Sequence, residues 1–383
     1  MISVTDLPSV VYHASLEPAP LRATLAAWRT TWPASGVLAL LPEAELAHLA
    51  VLQTLCRELS LPLVGGVFPA LLVNAEFATQ GVWLLRLNQA PPAGLIADIN
   101  HNDPTERIGA AIMPYLSDQR ITLFLMFDSL TPNIGSLLDE LYLMLADRVR
   151  YVGVNAGSET FQPMPCLFDQ DRLLQNGLLW VLLPADHGTI LEHGYQAPES
   201  MLTATATEGN RIISIDWRPA FEVYQELMLA QYGIVLTPEN FYQYAVHFPF
   251  GILRANDEIV VRIPVALEAD GSLFCVGEIP ANTVLTLLQA PQVHSRHTVD
   301  LLTRGLTAIN GPMTGRNLLT FYCAGRRLHL GESARAELVD LHEKTGVGCL
   351  AGALSLGEIG NSHEWGYPLF HNATLVCSAW NPE

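Results

Sequence analysis

Residues 36–67 read GVLALLPEAELAHLAVLQTLCRELSLPLVGGV. The apolar run Gly36–Leu41 is followed by Pro42 and then by Glu43–Leu59, where Leu46, Leu49, Leu52, Leu55, Cys56 and Leu59 return every three or four positions. A second apolar run follows at Leu63–Val67. One apolar helix face between two buried strands is a βαβ unit, which requires parallel pairing and a right-handed crossover. The pattern recurs with Ile121–Phe127 as strand, Ile134–Asp147 as helix with Leu137, Leu138, Leu141 and Leu145 on one face, and Arg150–Val154 as strand. Both units are expected in one α/β sheet.

Further on the spacing shortens. Leu178–Leu183, Thr189–His193, Leu202–Thr207 and Arg211–Ile215 read as an antiparallel meander, followed by helices at Pro219–Leu229 and Pro238–Tyr244. Pro249-Phe250-Gly251 marks a boundary, because alternating strands restart there in IVVRIPVAL, SLFCVGEIP and NTVLTLLQ. A helix with Val299, Leu302, Leu306 and Ile309 inward comes next, then a strand at Leu318–Cys323, a helix at Ser333–Lys344, and strands at Val347–Leu356 and Ala373–Trp380. The expectation is an α/β fold of mixed α+β character in two lobes, 1–248 and 249–383, each a mixed sheet packed with helices. No short-period repeat is visible; Gly277-Glu278-Ile279 and Gly357-Glu358-Ile359 echo each other.

Length and composition narrow the function. The chain has 383 residues, long for one core and ordinary for two. Half of them are hydrophobic and 15% are charged, with a mean hydropathy of +0.25, so a large core is affordable. The longest uncharged run, Leu59–Ala75, is broken by Pro62, Gly65, Gly66 and Pro69 and is too short to span a membrane. No basic residue precedes Arg22, the reverse of a secretory leader, which points to the cytoplasm. Six scattered cysteines without a CxxC read as reduced packing residues. A net charge of −18 argues against nucleic acid. Lys344 is the single lysine, placed to cap a helix end, so Schiff-base and P-loop chemistry are discounted.

Four groups of residues have the chemistry of a site. Gly153–Ser158 follows a strand, where small residues let backbone N–H groups face an anion, although a plain tight turn explains them better. Cys323-Ala324-Gly325-Arg326 ends another strand and offers Arg326 as a bidentate carboxylate clamp. Glu358 lies between two glycines at a strand end, where a carboxylate can hold an ammonium. His363, Glu364, His371 and Asn372 follow it; neither these nor His294-Ser-Arg-His297 have the ligand spacing of a metal site. Cys323 with His371 can be drawn as a nucleophile and base, with nothing in the sequence to place them together.

The segments FPFGILR, VRIP, DGSLFCVGEIP, FYCAGR, GEIG and HNATL together resemble the C-terminal FIST domain, and LPLVGGVFPA, RYVGVNAGS, His193-Gly194-Tyr195 and GNRIISIDWRPAFEVY resemble the N-terminal FIST domain. The resemblance implies an intracellular sensory module of signal-transduction proteins that binds small ligands such as amino acids, here as a stand-alone bacterial type. Gly65-Gly66-Val67 stands where the family usually has Gly-Cys-Ser/Thr. Asp6-Leu7-Pro8 starts like an F-box, which the strand at Val37–Leu41 leaves no room for. The expected site is non-catalytic and free of cofactor and metal. Arg326 and Arg262 take a carboxylate, Glu358 takes an ammonium, Asn155, Gly157 and Asn372 orient the ligand, and Cys323 and Gly357 lie at its edge. The expected partners are a small molecule and a signalling protein. The competing classes are an enzyme using Cys323, Glu358 or His371, and a protein-interaction scaffold.

Overall fold

The strand Gly36–Pro42, the helix Leu49–Glu58 and the strand Leu63–Phe68 form the expected parallel unit, with Leu49, Leu52, Leu55 and Cys56 of the helix buried. The computed structural model describes residues 7–100, 103–117, 121–183, 188–198, 200–254, 258–291, 293, 296–360 and 367–380. The fold is α/β with mixed sheets covered by helices.

The second unit, Ile121–Asp128, Ile134–Leu145 and Val149–Ala156, is also parallel but lies in a different sheet from the first. A third parallel unit is made by Asn317–Cys323, the helices Ala324–Leu330 and Ser333–Thr345, and Cys349–Ser355, in a third sheet. The expectation of one common sheet fails because doubly buried apolar strands do not specify their next neighbour. Here each unit is flanked by antiparallel strands, which seal it from the others.

Those flanking strands reveal an internal repeat. Each sheet runs in the same order: an edge strand, an antiparallel closing strand, the two parallel strands, then a two-stranded hairpin. In the first sheet these are Val10–His13, Val82–Leu87, the parallel pair, and Leu167–Asp169 with Leu173–Leu174. In the second they are Ala93–Ala97, Gly177–Leu183, the pair, and Glu358–Gly360 with Leu369–His371. In the third they are Thr189–Glu192, Leu375–Trp380, the pair, and Leu71–Val73 with Glu76–Ala78. The hairpins are exchanged in a circle, since repeat one completes sheet three, repeat three completes sheet two, and repeat two completes sheet one.

The register is repeated residue for residue. Gly65, Gly153 and Gly352 each lie three positions before the end of the second parallel strand. A Cβ there would meet the facing carbonyl oxygen of Ala39, Leu125 or Thr320 at 2.2, 2.3 or 1.6 Å. The inward faces of the three sheets share one core, in which the Phe321 ring lies 5.7 Å from Phe68 and 6.1 Å from Phe124. Helices cover the outer faces, such as Ile134–Leu145 over the second sheet and His297–Asn310 over the third.

The expected meander is therefore dispersed. Gly177–Leu183 and Thr189–Glu192 belong to the second and third sheets, and only Leu202–Glu208 and Arg211–Ile215 pair as a hairpin. That hairpin opens a fourth sheet with the strands between Phe250 and Leu287 and the helices Ala220–Tyr232 and Phe241–Ala245, around a core of its own. This sheet is inserted into the third repeat. Its two ends meet where Gln196 and Gln289 exchange backbone N–H···O bonds of 3.1 and 2.9 Å.

Candidate functional site

The inserted sheet roofs the carboxyl ends of the parallel strands of repeats two and three, where open α/β sheets bind ligands. Beneath it lie two adjoining chambers of about 280 and 680 Å³. Both are lined by Val265 and Val276 from the roof, Tyr242 from its short helix, and Glu159 and Phe161 from the loop after Val149–Ala156. The smaller chamber ends on Cys323, Ala324, Gly325 and Asn372, and the larger on Ser129–Ile134, Asn155, Gly277 and Phe370.

Cys323 ends its strand 4% exposed, with its sulfur turned inward among backbone donors. The N–H of Ala373 reaches Sγ at 3.1 Å, and those of Gly325 and Arg326 also point at it. Glu358, completely buried at the start of the hairpin passed to the second sheet, accepts from Ser355 Oγ at 2.5 Å, from Thr374 Oγ1 at 2.7 Å and from the Cys323 thiol. Burial raises the Glu358 carboxyl to about 7 against those hydrogen bonds. Burial and the neighbouring Glu358 push the Cys323 thiol up to about 12. The two side chains are thus in contact.

Two buried asparagines complete the walls. Asn372 and Asn155, each 1% exposed, line the two chambers, and each has a buried Oδ1 without a hydrogen-bond partner. A buried orphan amide oxygen is costly unless something donates to it. Asn372 Nδ2 is held by the carbonyl of His371 at 3.0 Å.

The remaining expected residues are placed elsewhere. Arg326 donates all five guanidinium N–H groups inside the protein: two to Glu337 at 2.8 and 2.6 Å, one each to the carbonyls of His193 and Ala373, and one to Thr298 Oγ1. The carboxylate clamp expected of it is already filled by Glu337. Arg262 is buried on the backbone carbonyls of Glu278, Val261 and Phe370 and lines a separate cavity with Arg254 and Asp139. The N–H groups of the expected anion cradle are also taken, Asn155 N by Gly357 O and Gly157 N by Val67 O, each at 2.8 Å. These bonds tie the repeats together at the centre of the molecule. Glu358 meets hydroxyls and a thiol in its enclosure, which leaves the ammonium role without an open approach.

His371 lies opposite Glu358 in the hairpin, fully buried, with neither ring nitrogen partnered. Burial holds its imidazole well below the ordinary value, with His193 and Arg262 adding to the effect. Among the described residues, the carboxyl in contact with the Cys323 thiol is that of Glu358. His294, His363 and Glu364 lie outside the described residues. The echoed glycines share a ring: a Cβ on Gly277 or Gly357 would meet Phe370 at 3.0 or 2.4 Å. Their glutamates differ, since Glu278 binds the backbone N–H and hydroxyl of Ser136 at the start of Ile134–Leu145. Sequence reasoning missed Ser355, Thr374 and Glu337, which carry no signal beyond being polar in apolar runs.

A family model described as the FIST N domain matches residues 37–218, and one described as the FIST C domain matches residues 220–361. The chain belongs to the FIST family. FIST domains are sensory domains of signal transduction. No curated protein sequence matches this FIST chain. The junction of the two matched segments falls at the start of the helix Ala220–Tyr232, inside the inserted sheet, so the roof of the cleft draws strands from both. No helix among the described residues is long and apolar enough to cross a membrane.

Proposed function

We propose that this FIST protein is a cytoplasmic, non-catalytic sensor that binds a small molecule in the cleft between the inserted sheet and the strand ends, and passes the signal to a separate partner protein. The observation that carries this is the pair of buried asparagines, Asn155 and Asn372, whose unpartnered oxygens lie in the walls of a largely apolar cavity. Such a site suits a small, mostly apolar molecule that presents N–H or O–H donors. An amino acid remains within that class through its side chain and ammonium, but with Arg326 and Arg262 engaged elsewhere its carboxylate would have to face the cleft mouth.

A thermal-shift screen of amino acids, their amides and small apolar amides tests the reading. A ligand at about 100 times its Kd adds about 2.7 kcal/mol, which a melting curve resolves. Val265→Trp, which fills the cleft from its roof, is expected to abolish the shift without lowering the melting temperature of the free protein. Absence of any stabilising compound across the panel would sink the proposal.

A further inference from the structure

The three repeats treat one position in a revealing way. In repeat two, Asp128 ends the first parallel strand and its carboxylate accepts the N–H of Leu130, two residues on, at 2.9 Å, and the N–H of Asn176 at 2.7 Å. Asn176 is left-handed, with φ 52°, and immediately precedes the closing strand. In repeat one the strand ends on Pro42 instead, and Glu45 Oε1, three residues further on, accepts the N–H of Gly81, φ 85°, just before the closing strand. In repeat three the same donors, Gly325 two residues on and left-handed Ala373, φ 57°, converge on the sulfur of Cys323. A cradle that holds a carboxylate in repeat two holds a thiol in repeat three. The N–H groups of such a cradle stabilise the anionic form of whatever occupies it, and at Cys323 they act against burial and the Glu358 carboxyl, which leave the thiol at about 12.

The third cradle opens on the smaller chamber. Cys323 lines it beside Asn372, whose buried Oδ1 has no partner, and the thiol touches the Glu358 carboxylate on its other side.

We propose that Cys323 is a nucleophilic thiol that captures a small carbonyl compound reversibly in the cleft, with Glu358 taking the thiol proton. This rests on the cleft being the ligand site. Sulfur forms a bond to the carbonyl carbon as the C=O π bond opens, the thiol proton passes to Glu358, and Glu358 returns it to the new alkoxide to give a neutral thiohemiacetal. Nothing is oxidised or reduced and no group leaves. Addition to a carbonyl suits a sensor, because the step runs backwards when ligand falls.

Native alkylation of the full chain with iodoacetamide, read at each cysteine by mass spectrometry, provides the test. Cys349, the more exposed of the two, is the internal reference, and the other four thiols are buried. The expected result is that Cys323 reacts roughly tenfold or more faster than Cys349, a ratio modest for proton-transfer assistance. Its rate should rise through about pH 7, where Glu358 loses its proton, and then level off. Glu358→Gln should slow Cys323 alone and remove the levelling. Butanal should protect Cys323 and 1-butanol should not. Cys349 labelling first, a Cys323 rate that climbs with pH without levelling, or a Glu358→Gln rate equal to wild type overturns the proposal. Equal protection by butanol overturns thiol addition while supporting the cleft as a ligand site; no protection by either, with no stabilising compound in the thermal screen, overturns both.

Discussion

Glu358 occupies a place where its ionised form is disfavoured, and that has a measurable sign. A carboxyl whose folded value is raised to about 7 favours folding fully below the ordinary value near 4.5, and the contribution is lost as pH rises through 7. Wild type should therefore lose stability relative to Glu358→Gln between pH 5 and pH 8, by something on the order of 3 kcal/mol. Urea titrations of both proteins at the two pH values check this; a constant difference would mean that Glu358 is not the titrating group. Arg326 carries a second prediction at this scale. Glu337→Gln leaves a fully buried guanidinium without its charge partner and should cost about 3–5 kcal/mol, seen as a lower urea midpoint. The sequence brought out Arg326 because it follows the end of a strand and Glu358 because it lies between two glycines at another strand end. It could not show what they face, since a partner eleven residues away on the next helix has no pattern in a single chain.

Strands and helices were legible wherever periodicity was strong. The three parallel units, the helix His297–Asn310 and the closing strand Leu375–Trp380 all follow from apolar spacing. The three exchanged hairpins were not seen, being strands of two or three residues whose hydrogen bonds go to another repeat. Gly65 read as a break in an apolar run, Gly153 as the start of a turn, and Gly352 gave no signal, yet they fix how closely each parallel pair packs. Gly352→Ala places a methyl 1.6 Å from the carbonyl oxygen of Thr320, an overlap with backbone that no rotamer relieves. Loss of about 3 kcal/mol or more is expected, measured by the shift in urea midpoint, and a mild effect would show that the strand pair can separate locally.

For the molecule as a whole, the circular exchange of hairpins makes the fold cooperative. The segments 1–218 and 219–383 each lack a hairpin that the other supplies, and each exposes part of the shared core. Expressed apart they should show no near-ultraviolet circular dichroism, and mixing should restore it; an independently folded half would contradict the exchange as the main source of stability. The cleft belongs to this scale too. Its floor comes from repeats two and three and its roof from the insertion, so no single stretch of sequence announces it.

The chain also has no privileged starting point. The first edge strand and the last closing strand both lie beside Asn317, which pairs with Trp380 in register and whose Nδ2 donates to Ser9 Oγ at 3.3 Å. Joining 380 back to 10 would reproduce the kind of passage that already leads from one repeat to the next. A circular permutant opened between Leu87 and Ala93 should therefore fold to the same molecule, with repeat one moved to the end of the chain.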